Sequence, residues 1–203
     1  MKRNTHLAGE IINFLNGILR GIARTSQQSS KSGPAPTLTP KPKSGSPSDV
    51  TKSTGGAVPS PNGAIRATEL DTSHGLPAFD YAPHMDGDPD PGEIVWTWVP
   101  YEEDAEVGKD RPVLVIAHVG SDVAAVQTTS KDHDRDAAQE ASWGRYWFEI
   151  GSGSWDSKGR VSEVRLDRIL RVPPSAMRRE GGILDEATFH KVIEAIERVH
   201  AQR

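Results

Sequence analysis

The sequence predicts a mainly β fold. It is a small, strongly bent barrel closed by a C-terminal helix, behind a long lead of different character. Three features carry this expectation. Eleven of the twelve aromatic residues lie at or after Phe79, and aromatics supply much of a core's buried area. Five short segments after residue 91 show strand patterning between Gly- and Pro-containing turns. The last segment then changes to a helical period.

Taken in order, Leu7, Ile11, Leu15, Ile18 and Ile22 recur at helical spacing and predict a short amphipathic helix within residues 1–25. Glu10, Asn13 and Asn16 interrupt the apolar stretch that a signal peptide needs. The helix reads as an interfacial or partner-binding element over residues 5–24, or as one that packs on its own domain. Residues 26–68 predict a disordered linker of Ser, Pro, Gly and Lys, with seven of the chain's 15 prolines between Pro34 and Pro61. Residues 69–90 form an acidic lead-in. Its Asp86, Asp88 and Asp90 alternate like a calcium loop, but Pro89 and Pro91 break the pattern and no closing Glu follows. The stretch reads as a solvated acidic loop, or as a polyanion mimic that covers a basic site.

The folded domain is expected over residues 91–203. Glu93–Val99 alternates, with Ile94, Trp96 and Trp98 on one face. Arg111–Ala117 is apolar on both faces, as for a buried strand. Ser121–Thr129, Gly144–Ile150 and Val164–Val172 complete the strands. Pro173–Met177 predicts one helical turn. Asp185 is a candidate N-cap, and Phe189, Val192, Ile193, Ile196 and Val199 form one apolar stripe.

Composition excludes several chemistries. With no cysteine there is no disulfide framework, thiol nucleophile or iron–sulfur site. No apolar run reaches the ~18 residues of a membrane span. Residues 1–63 carry eight Lys/Arg and two Asp/Glu, whereas residues 64–203 carry 16 and 26. Against that acidic background, Lys158 to Arg179 hold seven basic residues and two acids.

The order of motifs resembles one family. PGEIVWTWVP (91–100) is followed by GKDRPVLVIAH (108–118), then AAVQTTSK (124–131), and then Ser162, Val164, Asp167, Ile169 and Val172 at fixed spacing before the terminal helix. This succession is similar to the MazF/PemK toxins of type II toxin–antitoxin systems. The resemblance implies an SH3-like barrel and a cytoplasmic homodimer. It implies a bacterial growth inhibitor that cleaves single-stranded RNA without cofactor or metal, is neutralised by an antitoxin, and meets DNA only through that antitoxin. The Arg of the Arg-Pro motif falls on Arg111, the strand-ending Thr on Thr128 or its neighbour Thr129, and the acid five residues before the Arg on Glu106. The usual Gly-x-Glu-Gln-Gly loop is replaced here by YEEDAEVGKD.

An arginine suits phosphoryl chemistry because it is planar, permanently charged and bidentate toward phosphate. It is a poor proton acceptor, so Arg111 is assigned to the charge on the phosphorane. Thr128 is assigned to a neutral hydrogen bond and Glu106 to the 2′-hydroxyl proton. Lys158, Arg160, Arg165, Arg168 and Arg171 are expected to form a phosphate track, and Trp155, in a Gly/Ser loop, to stack an unpaired base. His133, among Asp132, Asp134 and Asp136, reads as part of a solvated loop rather than a metal site, because its neighbours sit too close in sequence. A role for His133 in proton transfer stays open. A competing expectation from another class is a non-catalytic SH3-like binding module tethered to a partner or a membrane surface. The longer chain, the acidic surface and the altered loop favour it.

Overall fold

The computed structural model describes residues 58–59, 66–133 and 137–202. The expected helix over residues 5–24 and most of the expected linker lie outside them. Eight antiparallel strands form one sheet: β1 (Val58–Pro59), β2 (Thr68–Glu69), β3 (Glu93–Pro100), β4 (Val107–Val119), β5 (Asp122–Thr129), β6 (Trp147–Gly151), β7 (Ser162–Val172) and β8 (Met177–Ile183). Helix α1 (Ala137–Ser142) precedes β6, and α2 (Glu186–His200) ends the fold.

The ladder runs β2-β7-β5-β4-β3-β8, with β6 also on β7 and β1 on β4. Register shifts interrupt the β3–β8, β4–β5, β5–β7 and β6–β7 pairs. Such bulges bend a strand and increase its twist, so the sheet curls. The expected small, bent barrel is formed but is not closed. β8 pairs only with β3, so the ladder stays open there. The loop of residues 152–161 bridges the gap, where Ser154 Oγ donates to the Gly181 carbonyl at 2.7 Å. The Gly181–Gly182 pair permits this approach. A Cβ at Gly181 would stand 2.7 Å from the Ile94 carbonyl, and Gly182 (φ +152°) would drive one into Ser154.

Both faces of the sheet are covered. Ile94, Leu114, Ile116, Val126, Phe148 and Leu166 form one core with the stripe of α2. Val95, Val113, Val115, Val123, Leu170 and Val172 form the other. This is why Arg111–Ala117 reads as apolar throughout. The α2 stripe is buried as expected, and the Asp185 side chain accepts from the Thr188 N–H at 2.9 Å. β4 begins at Val107, four residues before the expected Arg111.

Upstream, the chain is part of this fold. β2 pairs with Leu170 and Arg171 on β7, Ala67 is fully buried, and Leu70, Leu76, Phe79 and Tyr81 pack on the first core. The Tyr81 hydroxyl donates to the Leu184 carbonyl at 2.8 Å. The ordered unit therefore reaches back past residue 69. A fragment of residues 66–203 is expected to melt cooperatively. One starting at residue 91 should lose at least about 3 kcal/mol, since each large apolar side chain contributes ~1.5–3 kcal/mol when buried. Chemical denaturation of the two fragments checks this, and equal midpoints and slopes would refute it.

Glu93 is fully buried at the start of β3, with Oε1 unpartnered and Oε2 accepting from the Asp90 N–H at 3.3 Å. Burial, with Asp90 and Glu180 nearby, raises its pKa, although the Asp90 amide pulls the other way. An acid with a raised folded pKa costs stability as pH rises through that value. Glu93→Gln should therefore stabilise the fold at pH 8 by on the order of 1 kcal/mol. The gain should fade below the ordinary carboxylate range, where wild-type Glu93 is protonated. A gain that does not change with pH in thermal melts would contradict this.

Candidate active site

A cleft of about 380 Å³ opens between β3, β4, the end of β5, the 152–161 loop and β8. Register brings its walls together: Trp96 on β3 lies between Pro112 on β4 and Arg179 on β8. The lining holds four cations, Lys109, Arg111, Arg160 and Arg179, against two acids, Asp110 and Asp156. The cleft is thus basic although the domain is acidic. A larger, open cavity of about 870 Å³ lies between residues 69–76 and the end of α2, where Glu69, Asp71 and Glu197 make it a poor anion site.

Arg111 lies within β4 rather than at its opening, and it is half-buried. Its guanidinium carbon stands 6.0 Å from the Tyr101 ring centroid, and the two side chains share a hydrogen bond. Burial lowers its pKa, with Tyr101 acting the other way. It remains a cation at neutral pH. Among the described residues no carboxylate pairs with it. Its neighbour Asp110 faces Arg178 at 3.7 Å.

Thr128 is 1% exposed, and its Oγ1 has no hydrogen-bond partner. A buried hydroxyl left unpaired costs about 1–3 kcal/mol, so it marks a place where an acceptor or donor is missing. Thr129, the alternative, is committed: its Oγ1 accepts from the Lys131 N–H at 3.2 Å. The bulge between Val126 and Thr128 sets this end of β5.

The structure thus gathers Arg111, Thr128, Arg160 and Trp155 on one cleft and separates the other expected residues from it. Glu106 lies outside, 2.7 Å from Arg66, which holds its carboxyl below the usual range. The expected phosphate track does not form one surface. Arg165 is buried between Asp167 and Glu102, Arg168 donates to the Pro100 carbonyl at 3.0 Å and to Glu69, and Arg171 pairs with Asp122. The reason is that β7 is hydrogen-bonded on both edges and covered on both faces, so Arg165 and Arg168 are buried against acceptors, while the exposed Arg171 is paired with Asp122. Lys158 is exposed beside the cleft without lining it. Trp155 is a correction as well. It is 5% exposed, its indole N–H donates to Ser162 Oγ at 3.1 Å, and its ring sits against Gly153. No face is left for a base.

Asp156 organises the near wall. It accepts from Arg160 Nε at 2.9 Å and from the Lys158 amide at 2.7 Å, and it bonds to Ser130. Burial opposes its charge, but these donors hold its pKa below the usual carboxylate range. Trp96 and Arg179 are cleft residues that the sequence reading left among strand and charge patterns. Their signal was present, since Arg179 ends the basic run. His133 is buried rather than solvated, 2.8 Å from Glu163 and stacked 4.0 Å from Trp147. The acidic stretch does not cover the cleft: the Gly87 amide binds Glu180, and Asp90 faces His118. Among the described residues no group of acids and histidines is arranged to hold a metal, and no helix is long and apolar enough to cross a membrane.

A family model described as PemK-like, MazF-like toxin of type II toxin-antitoxin system matches residues 90–200. The chain belongs to that family. Its members are toxins of toxin–antitoxin pairs, typically RNA endonucleases. Curated proteins give no match to the chain. In this PemK/MazF-like toxin the matched span contains every strand of the cleft and begins at Asp90, so the packed segment from Arg66 onward lies outside it.

Proposed function

We propose that this toxin cleaves single-stranded RNA without a metal, as a cytoplasmic homodimer held in check by a cognate antitoxin through which it also meets DNA. The observation that carries this reading is the pairing, on one basic cleft, of an arginine with no acid partner and a buried hydroxyl with no hydrogen bond among the described residues. RNA supplies its own nucleophile. The 2′-hydroxyl gives up its proton to solvent as its oxygen bonds to the adjacent phosphorus, the bond from phosphorus to the 5′-oxygen breaks, and that oxygen takes a proton from solvent. Charge grows on the phosphorane oxygens meanwhile, and a fixed cation and donor aimed there lower the barrier. Arg111 supplies the charge and Thr128 the neutral donor. Glu106 is engaged by Arg66 and is not part of this scheme.

The test is incubation of the full chain with a long unstructured RNA in EDTA, followed by mapping of the ends. Cuts carrying 2′,3′-cyclic phosphate and 5′-hydroxyl termini are expected at an unchanged rate. No cleavage of any RNA would turn the reading toward a binding module. Thr128→Val should slow cleavage about 10-fold, less than any change at Arg111, because a neutral donor contributes less than a charged one.

A further inference from the structure

Arg179, like Arg111, is a cleft cation without an acid partner among the described residues. Arg160 is tied to Asp156 and Arg178 faces Asp110. Arg179 makes no ion pair or hydrogen bond among the described residues. Instead its guanidinium carbon lies 3.9 Å from the Trp96 ring centroid, the closest of the cation–ring contacts. Trp96 lines the same cleft, and its Nε1 is buried without a partner. It is thus a second unanswered polar atom beside that of Thr128. A guanidinium resting on an indole face keeps its edge donors in a fixed plane. Nothing else along β8 explains why this residue stays unpaired.

We propose that Arg179, seated on Trp96, is a specificity residue that reads a nucleobase flanking the cut, and that the base it selects is guanine. A planar fork of N–H donors matches the two adjacent acceptors O6 and N7, which adenine lacks as a pair. A phosphate would also accept from Arg179. However, a phosphate needs no flat platform, whereas a base stacks on arginine and aromatic planes. Trp96 supplies the flat platform that holds the Arg179 fork in its plane. This inference rests on the nuclease reading above and names the substrate feature that its cleft selects.

The test compares wild type, Arg179→Lys and Trp96→Phe on a randomised single-stranded RNA, with the cut sites mapped. Lysine keeps the charge and loses the fork, and phenylalanine keeps a ring but narrows the platform. Wild type should favour guanine at one position beside the cut. Arg179→Lys should erase that preference about 10-fold or more, while cuts at other sequences persist. Trp96→Phe should weaken the same preference. If Arg179→Lys instead keeps the guanine preference and raises KM equally for all sequences, Arg179 is a phosphate contact and the assignment fails. A wild type that cuts without preference at any position also overturns it, and leaves the nuclease reading standing. If wild type cuts nothing, that reading falls, and a second measurement decides the assignment. Short 2′-O-methyl oligonucleotides containing G or A are titrated against wild type and Arg179→Lys by tryptophan quenching. Tighter binding of G that is lost in Arg179→Lys supports it, and equal binding overturns it.

Discussion

Replacing Arg111 with alanine is expected to lower RNA cleavage by about 10²–10³-fold or more while the melting temperature barely moves. Both halves follow from the same environment. The guanidinium is half-buried beside Tyr101 and has no carboxylate among the described residues. Its charge is therefore held at some cost to folding, and removing it leaves no acid stranded. Its head borders the cleft that also holds Thr128. Arg111→Lys should fail nearly as badly, because a point charge cannot replace a bidentate fork. The measurement is initial rate on one long RNA, alongside thermal melts of the same samples. Undiminished cleavage by Arg111→Ala would remove the residue from the site. Lost cleavage with a collapsed melt would make it structural.

The second large effect concerns stability and lies away from the cleft. Asp167 accepts from Arg165 Nε at 3.0 Å and Nη2 at 2.7 Å, and from the Tyr146 amide at 3.0 Å. Arg165 and Asp167 are 5% and 6% exposed. Burial lowers the pKa of Arg165, but Asp167 and Glu102 outweigh it and raise it above the usual value. Asp167→Ala leaves that cation buried with Glu102 as its remaining acid, and breaking such a pair costs about 3 kcal/mol or more. For a domain of this size the melting temperature should fall by about 10 °C. Converting both partners, as Arg165→Leu with Asp167→Leu, should recover part of the loss, because no charge is then stranded. A melt of Asp167→Ala indistinguishable from wild type would mean that Glu102 alone suffices. Glu102 adds a pH sign. Its hydrogen bonds from Arg165 lower its pKa, so its contribution is present above the ordinary carboxylate range and disappears as pH falls through the folded value.

What the sequence discloses here depends on whether the cause is local. β3, β4, β5, β7 and the stripe of α2 were legible because alternation and helical period are properties of neighbouring residues. The cap at Asp185 was legible for the same reason. β8 was not. Its residues MRREGGI have no alternation, and they become a strand only because β3 offers an edge and two glycines admit the 152–161 loop. Trp155 looked exposed in a Gly/Ser loop, yet Gly153 leaves room for its ring to turn inward. The basic run from Lys158 to Arg179 looked like one surface. Asp167 stands beside Arg165 in the run, but the other acids that claim Arg165, Arg168 and Arg171 are Glu102, Glu69 and Asp122, 49 to 99 residues away. No local count reveals them. Glu106 was drawn off by Arg66, which lies upstream of the family match. Arg111 and Thr128, marked by the Arg-Pro and Thr-ended strand motifs, do share a cleft.

That cleft draws Arg111 from β4, Thr128 from β5, Arg160 from the loop before β7 and Arg179 from β8, the last strand among the described residues. A chain still emerging from the ribosome therefore carries its pieces without the assembled wall. β4 and β5 can pair early, but β7 has to arrive to hold β5, and β8 to complete β3.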